Sequence, residues 1–254
     1  MSPRTGGRHP KKLVVLPDNV IEYCSHLRHR RHCNDDGNMT KTERDREFLE
    51  IARRRRYVGR WTEAGGWVNL AGNYDYLSMP YYLTEDFEHD GKTIVPTCKE
   101  MLDAYIPPLF LEKARLAGVA VPEFYISNGY FEPPVIVDPI NPFTLKGRVV
   151  RKPGRAANIA KSLTRNYTYA VCCQELPANS RIIYFRSVLG HCALEVFREV
   201  ARQVWEIFHI PVARVRVVRL ADGKFLLSDI SPLPFETLSL REMRYIEERT
   251  QWDY

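Results

Sequence analysis

No apolar run in the sequence approaches the roughly 18 to 20 residues that a bilayer-spanning helix needs, so no membrane partner is expected. The opening MSPRTGGRHPKK is basic and polar, and the apolar residues after it, Leu13 to Leu16, are too few for the core of a signal peptide. A disulfide framework is missing as well. The 6 cysteines follow no regular spacing, and Cys172 and Cys173 are adjacent in a stretch that reads as a buried strand. These absences point to a reducing, cytoplasmic setting. General basicity is also lacking. Cys24 to Arg60 holds 11 Lys/Arg against 6 Asp/Glu, which accounts for +5 of the formal +6, so the remainder is nearly neutral. A basic segment on a neutral body is not a nucleic-acid coat. Polyanion binding through residues 24–60 is expected to be weak, non-specific and salt-dependent. Nucleic-acid binding by this segment stays as an alternative function, with no recognition module or stacking array behind it.

What is present is an ordinary soluble composition, 44% hydrophobic and 27% charged, in a chain long enough for one large or two small domains. Cys24, His26, His29, His32 and Cys33 suggest zinc chemistry, but zinc ligands come as spaced pairs on separate elements. Here all five fall close together among arginines, which favours a solvated basic loop or helix. Thr42 to Arg56 reads as a helix. Its arginines Arg53 to Arg56 either complement the helix dipole or bind phosphate.

The clearest periodicity lies between His191 and Pro234. Leu194, Phe197, Val200, Ala201, Val204, Ile207 and Phe208 recur at three- and four-residue steps, which predicts an amphipathic helix. Val212 to Leu220 alternates Val with Arg, Gly223 supplies a turn, and Phe225 to Ile230 returns as a second strand. Further strands are expected near 13–16, 67–70, 123–126, 148–152, 169–175 and 181–188. Ser78 is placed to cap a helix with Pro80 in its first turn and Gly91 beyond its end. Thr97 to Ala117 reads as a helix in two pieces, broken at Pro107 and Pro108. The fold class is α/β, with α+β character in the C-terminal part.

Helix, hairpin and then Asp229-Ile230-Ser231-Pro232-Leu233-Pro234 resembles the C-terminal unit of a RimK-like ATP-grasp domain, whose last strand ends Glu-x-Asn-x-x-Pro. Val68-Asn69-Leu70, Tyr74-x-Tyr76-x-Ser78 and Tyr81-Tyr82 are similar to the domain that precedes such modules, with Pro80 where that pattern has Gly. The resemblance implies a small α/β N-terminal domain at 1–128, carrying the basic segment, then a shortened ATP-grasp-like domain at 129–235 and a helical tail at 236–254. It also implies ATP and Mg2+ as cofactors. Lys152 would reach the α-phosphate as a mobile point charge. Gly154 and Arg155 would stand in for the glycine-rich phosphate loop. Gln174, Glu175 and Leu176 would border the adenine, with Glu175 offering backbone and not side chain. Arg181 and Asp229 would be catalytic, and Asp229 with Ser231 would hold the metal. Lys152, Glu175 and Asp229 are expected to line one cleft. The implied activity is ATP-dependent carboxylate–amine ligation through an acyl phosphate, where positioning and charge neutralisation do most of the catalysis.

The chain departs from the pattern in several places. The loop after Lys152 has one glycine, Ser180 replaces an acid, and the first nucleotide lysine falls at Pro107 and Pro108. Arg216 stands where the family carries its first metal-binding Asp. Mg2+ prefers carboxylates and phosphates in near-octahedral geometry, so Asp229 and Ser231 beside an arginine make a poor site unless Glu236 or Glu199 moves in. The alternative is a non-catalytic ATP-grasp-like pseudoenzyme acting as a binding or regulatory subunit with a protein partner. There Arg216 replaces the metal and pairs with Asp229 or with a bound phosphate.

Overall fold

The computed structural model describes residues 20–22, 57–63, 65–141 and 146–251. The strand expected at 13–16, the Cys24–Cys33 cluster, the helix at 42–56 and the basic segment up to residue 56 lie outside the described residues. None of the described helices is long and apolar enough to cross a membrane.

The described residues form three four-stranded sheets. The first has the order β1 (Val20–Glu22), β9 (Arg181–Val188), β10 (Val212–Arg219) and β11 (Phe225–Ser231). The expected hairpin is there: β10 and β11 pair antiparallel from Arg219–Phe225 to Arg214–Ser231, with Gly223 at φ +88° in the turn. The ladder slips once. Asp229 opposes Arg216 and Leu227 opposes Val217, so Ser228 is an extra residue in β11, a β-bulge.

The second sheet is β5 (Phe124–Ser127), β8 (Val171–Glu175), β6 (Val135–Pro139) and β7 (Arg148–Val150), with every neighbouring pair antiparallel. The third, smaller sheet is β12 (Thr250–Gln251), β2 (Val58–Trp61), β3 (Trp67–Asn69) and β4 (Ile94–Val95).

The helices form where caps and apolar spacing dictate. Helix α1 (Met79–His89) starts at Ser78, whose Oγ accepts from the Tyr81 amide, with Pro80 in the first turn. Helix α2 (Cys98–Tyr105) carries a capping box between Thr97 and Glu100. Helix α3 (Pro107–Leu116) begins on Pro107 and Pro108, the positions where a missing N–H costs nothing. Helix α4 (Ala156–Leu163) crosses the second sheet, α5 (Arg198–Phe208) the first, and α6 (Leu240–Glu247) follows a second capping box from Ser239 to Glu242. Glu242 also receives two hydrogen bonds from Arg186 at 2.8 Å, tying α6 to β9.

The largest core packs α2, α3 and α5 on one face of the first sheet, joining Tyr74, Met101 and Phe110 to Phe185, Val204, Phe208 and Val215. Phe110 stacks on Phe208 and Phe185 on Phe197, each with ring centroids 4.6 Å apart. Two expectations need correction. The helix at 194 starts later, because Leu194 is exposed and precedes a 3-10 turn at Glu195–Phe197 before α5 begins. Strands β1, β2, β4, β6 and β12 fall outside the expected ones; four of them have two to four residues, too few to show a period.

Candidate functional site

Strand alternation brings two sheet faces together. In β6, Val135 and Val137 pack with Val171, Cys173 and residues of α4. Ile136 and Asp138 therefore point the other way, as do Cys172 and Gln174 of β8. Ile136 meets Ile182 and Val218 of the first sheet. Val218 shares its face with Arg216, so the guanidinium of Arg216 is delivered between the sheets, where the residue is 4% exposed.

Its partners form a closed network. Arg216 Nη1 and Nη2 donate to the two oxygens of Asp138 at 3.0 and 2.6 Å, a bidentate pair. Arg216 Nε donates to Ser228 Oγ at 2.9 Å. Ser228 Oγ donates to Gln174 Oε1 at 2.8 Å, and Gln174 Nε2 donates to Asp138 Oδ2 at 2.8 Å and to the Ser228 carbonyl at 3.0 Å. Consecutive strand residues ordinarily face opposite ways; the bulge at Ser228 is what lets Ser228 and Asp229 both approach Arg216. Gly147 closes over Asp138: a Cβ on Gly147 would fall 2.0 Å from Asp138 Oδ1.

Beside this network lies a cavity of about 240 Å³, lined among others by Asp75, Tyr105, Ile106, Asp138, Asp229 and Ser231. Asp229 Oδ2 is 3.7 Å from Arg216 Nη1, within ion-pair reach but beyond a hydrogen bond. Burial pushes the Asp229 carboxyl up to about 7; Arg216 pulls it down and Asp138 pushes it further up. Burial likewise raises Asp75. The Tyr105 hydroxyl is buried without a hydrogen-bond partner among the described residues, and burial raises it well above the usual phenol range.

The structure distributes the sequence-predicted residues over several places. Asp229 and Ser231 line the cavity. Glu175 and Leu176 border a separate depression with Tyr125 and Tyr130. Their amides are engaged, Glu175 N–H donating to the Glu123 carbonyl and Leu176 N–H to that of Pro134. Gln174 is buried, its side chain in the Arg216 network. Lys152 is exposed at the start of a 3-10 turn, Pro153–Arg155, that contains Gly154 and Arg155 and runs straight into α4. Arg181 is exposed at the start of β9, opposite Arg219. Lys152, Glu175 and Asp229 are thus not gathered into one cavity. Glu236 accepts a hydrogen bond from Tyr57, and Glu199 pairs with Arg202 on the exposed side of α5.

Sequence reasoning missed Asp138, Asp75 and Tyr105, and it missed that Arg216 pairs chiefly with Asp138. One signal was available. An acid closing the apolar run Val135-Ile136-Val137 needs a buried counter-charge, and an arginine inside a Val-rich strand needs the same.

A Mg2+ ion does not fit this donor set. Arg216 occupies both oxygens of Asp138, and among the described residues no group of three or more His, Cys, Asp or Glu is placed to hold a metal. The sequence itself matches a family model, the RimK-like ATPgrasp N-terminal domain, over residues 62–249. The chain belongs to this family. No curated protein matches it. Among solved structures the fold is similar to the D-alanine-D-alanine ligase of Helicobacter pylori, with a TM-score of 0.52 at 14% identity over 71% of this chain and 70% of the ligase. A RimK domain ATP-grasp protein of Sphaerobacter thermophilus DSM 20745 aligns with a TM-score of 0.46 at 14% identity, over 66% of this chain and 71% of that one. The likeness to the ligase, at 14% identity, shows the ATP-grasp fold and no chemistry.

In this RimK-like family member the N-terminal tyrosine motif has a structural purpose. Asn69, fully buried, donates to the Pro80 carbonyl and to Thr84 Oγ1, anchoring the start of α1. Tyr74 donates its hydroxyl to the Asn69 carbonyl at 2.8 Å, and the turn between them brings Asp75 and Tyr76 to the cavity wall.

Proposed function

We propose that this chain is a non-catalytic ATP-grasp-type unit, a binding or regulatory component in place of a carboxylate–amine ligase working through Mg2+ and ATP. The supporting observation is the bidentate bond from Arg216 to Asp138 at the position where the resembling enzymes carry a metal-binding acid. A guanidinium repels a divalent cation and already saturates the nearest carboxylate. The rest of the nucleotide apparatus is dispersed: Lys152 is on the surface, and the amides of Glu175 and Leu176 are spent inside the sheet. A cavity lined by three carboxylates also opposes phosphate oxygens.

Phosphoryl transfer relies on positioned cations around the transferred group, and among the described residues lining this cavity none is a Lys, Arg or His. What the cavity offers instead is a binding function. Titration of the chain with ATP, with and without Mg2+, followed by thermal melting, tests the reading, because a ligand that binds the native state raises the midpoint. No Mg2+-dependent rise is expected. A saturable rise that needs both ATP and Mg2+ would return the chain to the ligases.

A further inference from the structure

We propose that the outer side of α4 and the adjoining edge strand β7 bind single-stranded nucleic acid, at a surface distinct from the cavity and from the basic segment at 24–60. The body of the chain is neutral only on average. From residue 139 to residue 174 there are 7 Lys and Arg and no Asp or Glu. The fold gathers these cations. Arg148 of β7 stands opposite Val137, which packs toward α4, so Arg148 shares that face. Arg151 and Lys152 follow the strand and Arg155 closes the 3-10 turn. Lys161 is on the outer side of α4, whose Ala160 and Leu163 face the sheet, and Arg165 comes just past its end. All of these cations are exposed. Among the described residues, Lys146, Arg148, Arg151, Lys152, Arg155 and Lys161 make no ion pair and no side-chain hydrogen bond. Elsewhere surface cations meet carboxylates: Lys99 and Lys113 pair with Asp103, Arg115 with Glu112, and Arg202 with Glu199 and Glu206. Charge on an edge strand alone guards against unwanted sheet pairing. Here it continues through the turn and along the helix, where no edge needs guarding.

A second, independent feature says which polyanion fits. Arg165, Asn166 and Tyr167 stand in succession in the left-handed region, at φ +49°, +58° and +65°. Residues with side chains seldom occupy it, and then mostly singly. Hydrogen bonds hold the turn: Thr164 Oγ1 donates to the Ala160 carbonyl at 2.7 Å and accepts from the Tyr167 amide at 2.8 Å, and the Asn166 amide donates to the Lys161 carbonyl at 2.8 Å. The turn sets the Tyr167 ring beside Gly129, where a Cβ would fall 3.3 Å from Tyr167 Cδ1, and leaves the residue 49% exposed. Disfavoured backbone is kept where the position of a side chain matters. An exposed ring at the end of a row of unpaired cations suits a chain of alternating phosphates and planar bases. The phosphates meet Arg and Lys, and a base stacks on the tyrosine. An acidic polypeptide would use the cations and leave the ring idle.

The full chain is titrated, by fluorescence anisotropy, with labelled single-stranded oligouridylate and oligothymidylate of about 12 nucleotides, and poly-glutamate is used as a competitor. Saturable binding that weakens with salt is expected. Arg151→Gln, Lys152→Gln and Arg155→Gln together should weaken it by about tenfold or more. They should also lower the slope of log affinity against log salt by about 2, since each phosphate contact to a single strand contributes about 0.7. Tyr167→Asn keeps a residue that tolerates the left-handed backbone; it should weaken binding by about fivefold or more with the salt slope unchanged. Melting temperatures check that both variants fold, and either one alone keeps the test open. Glutamine at all of Arg53, Arg54, Arg55 and Arg56 should leave the Tyr167→Asn effect in place. Preference for uridylate assigns RNA and preference for thymidylate DNA, and both support the site. Absence of saturable binding, or full affinity in both variants, overturns it. Competition by poly-glutamate as strong as by unlabelled oligonucleotide assigns the face to an acidic polypeptide and overturns it too. Binding abolished by the Arg53–Arg56 changes alone belongs to the basic segment and likewise overturns it.

Discussion

Asp138 and Asp229 flank the same arginine and lead opposite lives. Asp138 receives two hydrogen bonds from Arg216 and one from Gln174, under the cover of Gly147. Asp229 lies 3.7 Å from the same guanidinium, its side chain 20% exposed and its carboxyl raised by burial. One region is a sealed polar joint between two sheets; the other is a cavity wall where a carboxylate stands beside the same guanidinium without a side-chain hydrogen bond to it. A fully satisfied buried network specifies how the sheets meet, whereas a carboxylate at a cavity wall is free to titrate.

The largest effect should come from breaking the joint. Arg216→Met leaves Asp138 buried without a counter-charge and is expected to cost about 3–5 kcal/mol, read by urea denaturation; a cost near that of a surface substitution would show that the joint holds nothing. Next is Gly72→Ala, which disturbs the cavity wall and spares the joint. Gly72 has φ +72°, and a Cβ there would lie 1.9 Å from the Leu233 carbonyl oxygen. About 1–3 kcal/mol should be lost, because the loop carrying Asp75 can no longer sit against the segment after β11.

The pH dependence separates the two aspartates further. The Asp229 carboxyl is raised from 3.8 to about 7 in the folded chain by burial, against Arg216 and Arg214 and with Asp138. As pH rises past 4 the unfolded chain loses this proton first, so stability falls between about pH 4 and about 7 and levels off above. Melting temperatures should follow that course, and Asp229→Asn should flatten it. The smallest effects are expected outside both regions. Lys152→Ala and Glu175→Ala, both exposed, should change stability by less than about 0.5 kcal/mol, as urea denaturation would show.

Much of the fold was legible because it is written locally. The β10–β11 hairpin follows from Val/Arg alternation and Gly223, and the starts of α1 and α3 follow from Ser78, Pro107 and Pro108. The resemblance to RimK-like ATP-grasp proteins likewise rested on motif order and holds. The site was less legible because its decisive contacts are distant in sequence. Asp138 and Arg216 are 78 residues apart, and no local pattern specifies that two sheet faces will close on that pair. The bulge at Ser228 was hidden too, since an extra residue in a strand leaves the apolar alternation on either side intact. Conversely, the resemblance implied an adenine edge at Gln174, Glu175 and Leu176, whereas β8 lies between β5 and β6, where sheet pairing engages the backbone of Gln174 and Glu175, and the Leu176 N–H donates to the Pro134 carbonyl.

A double-mutant cycle on Arg216→Met and Asp138→Asn measures the joint most directly. The two changes should be strongly non-additive, with a coupling of about 2–3 kcal/mol and the double variant close in stability to the worse single one. Additive losses would mean that the two side chains do not depend on each other and that the Arg216–Asp138 pair does not join the sheets.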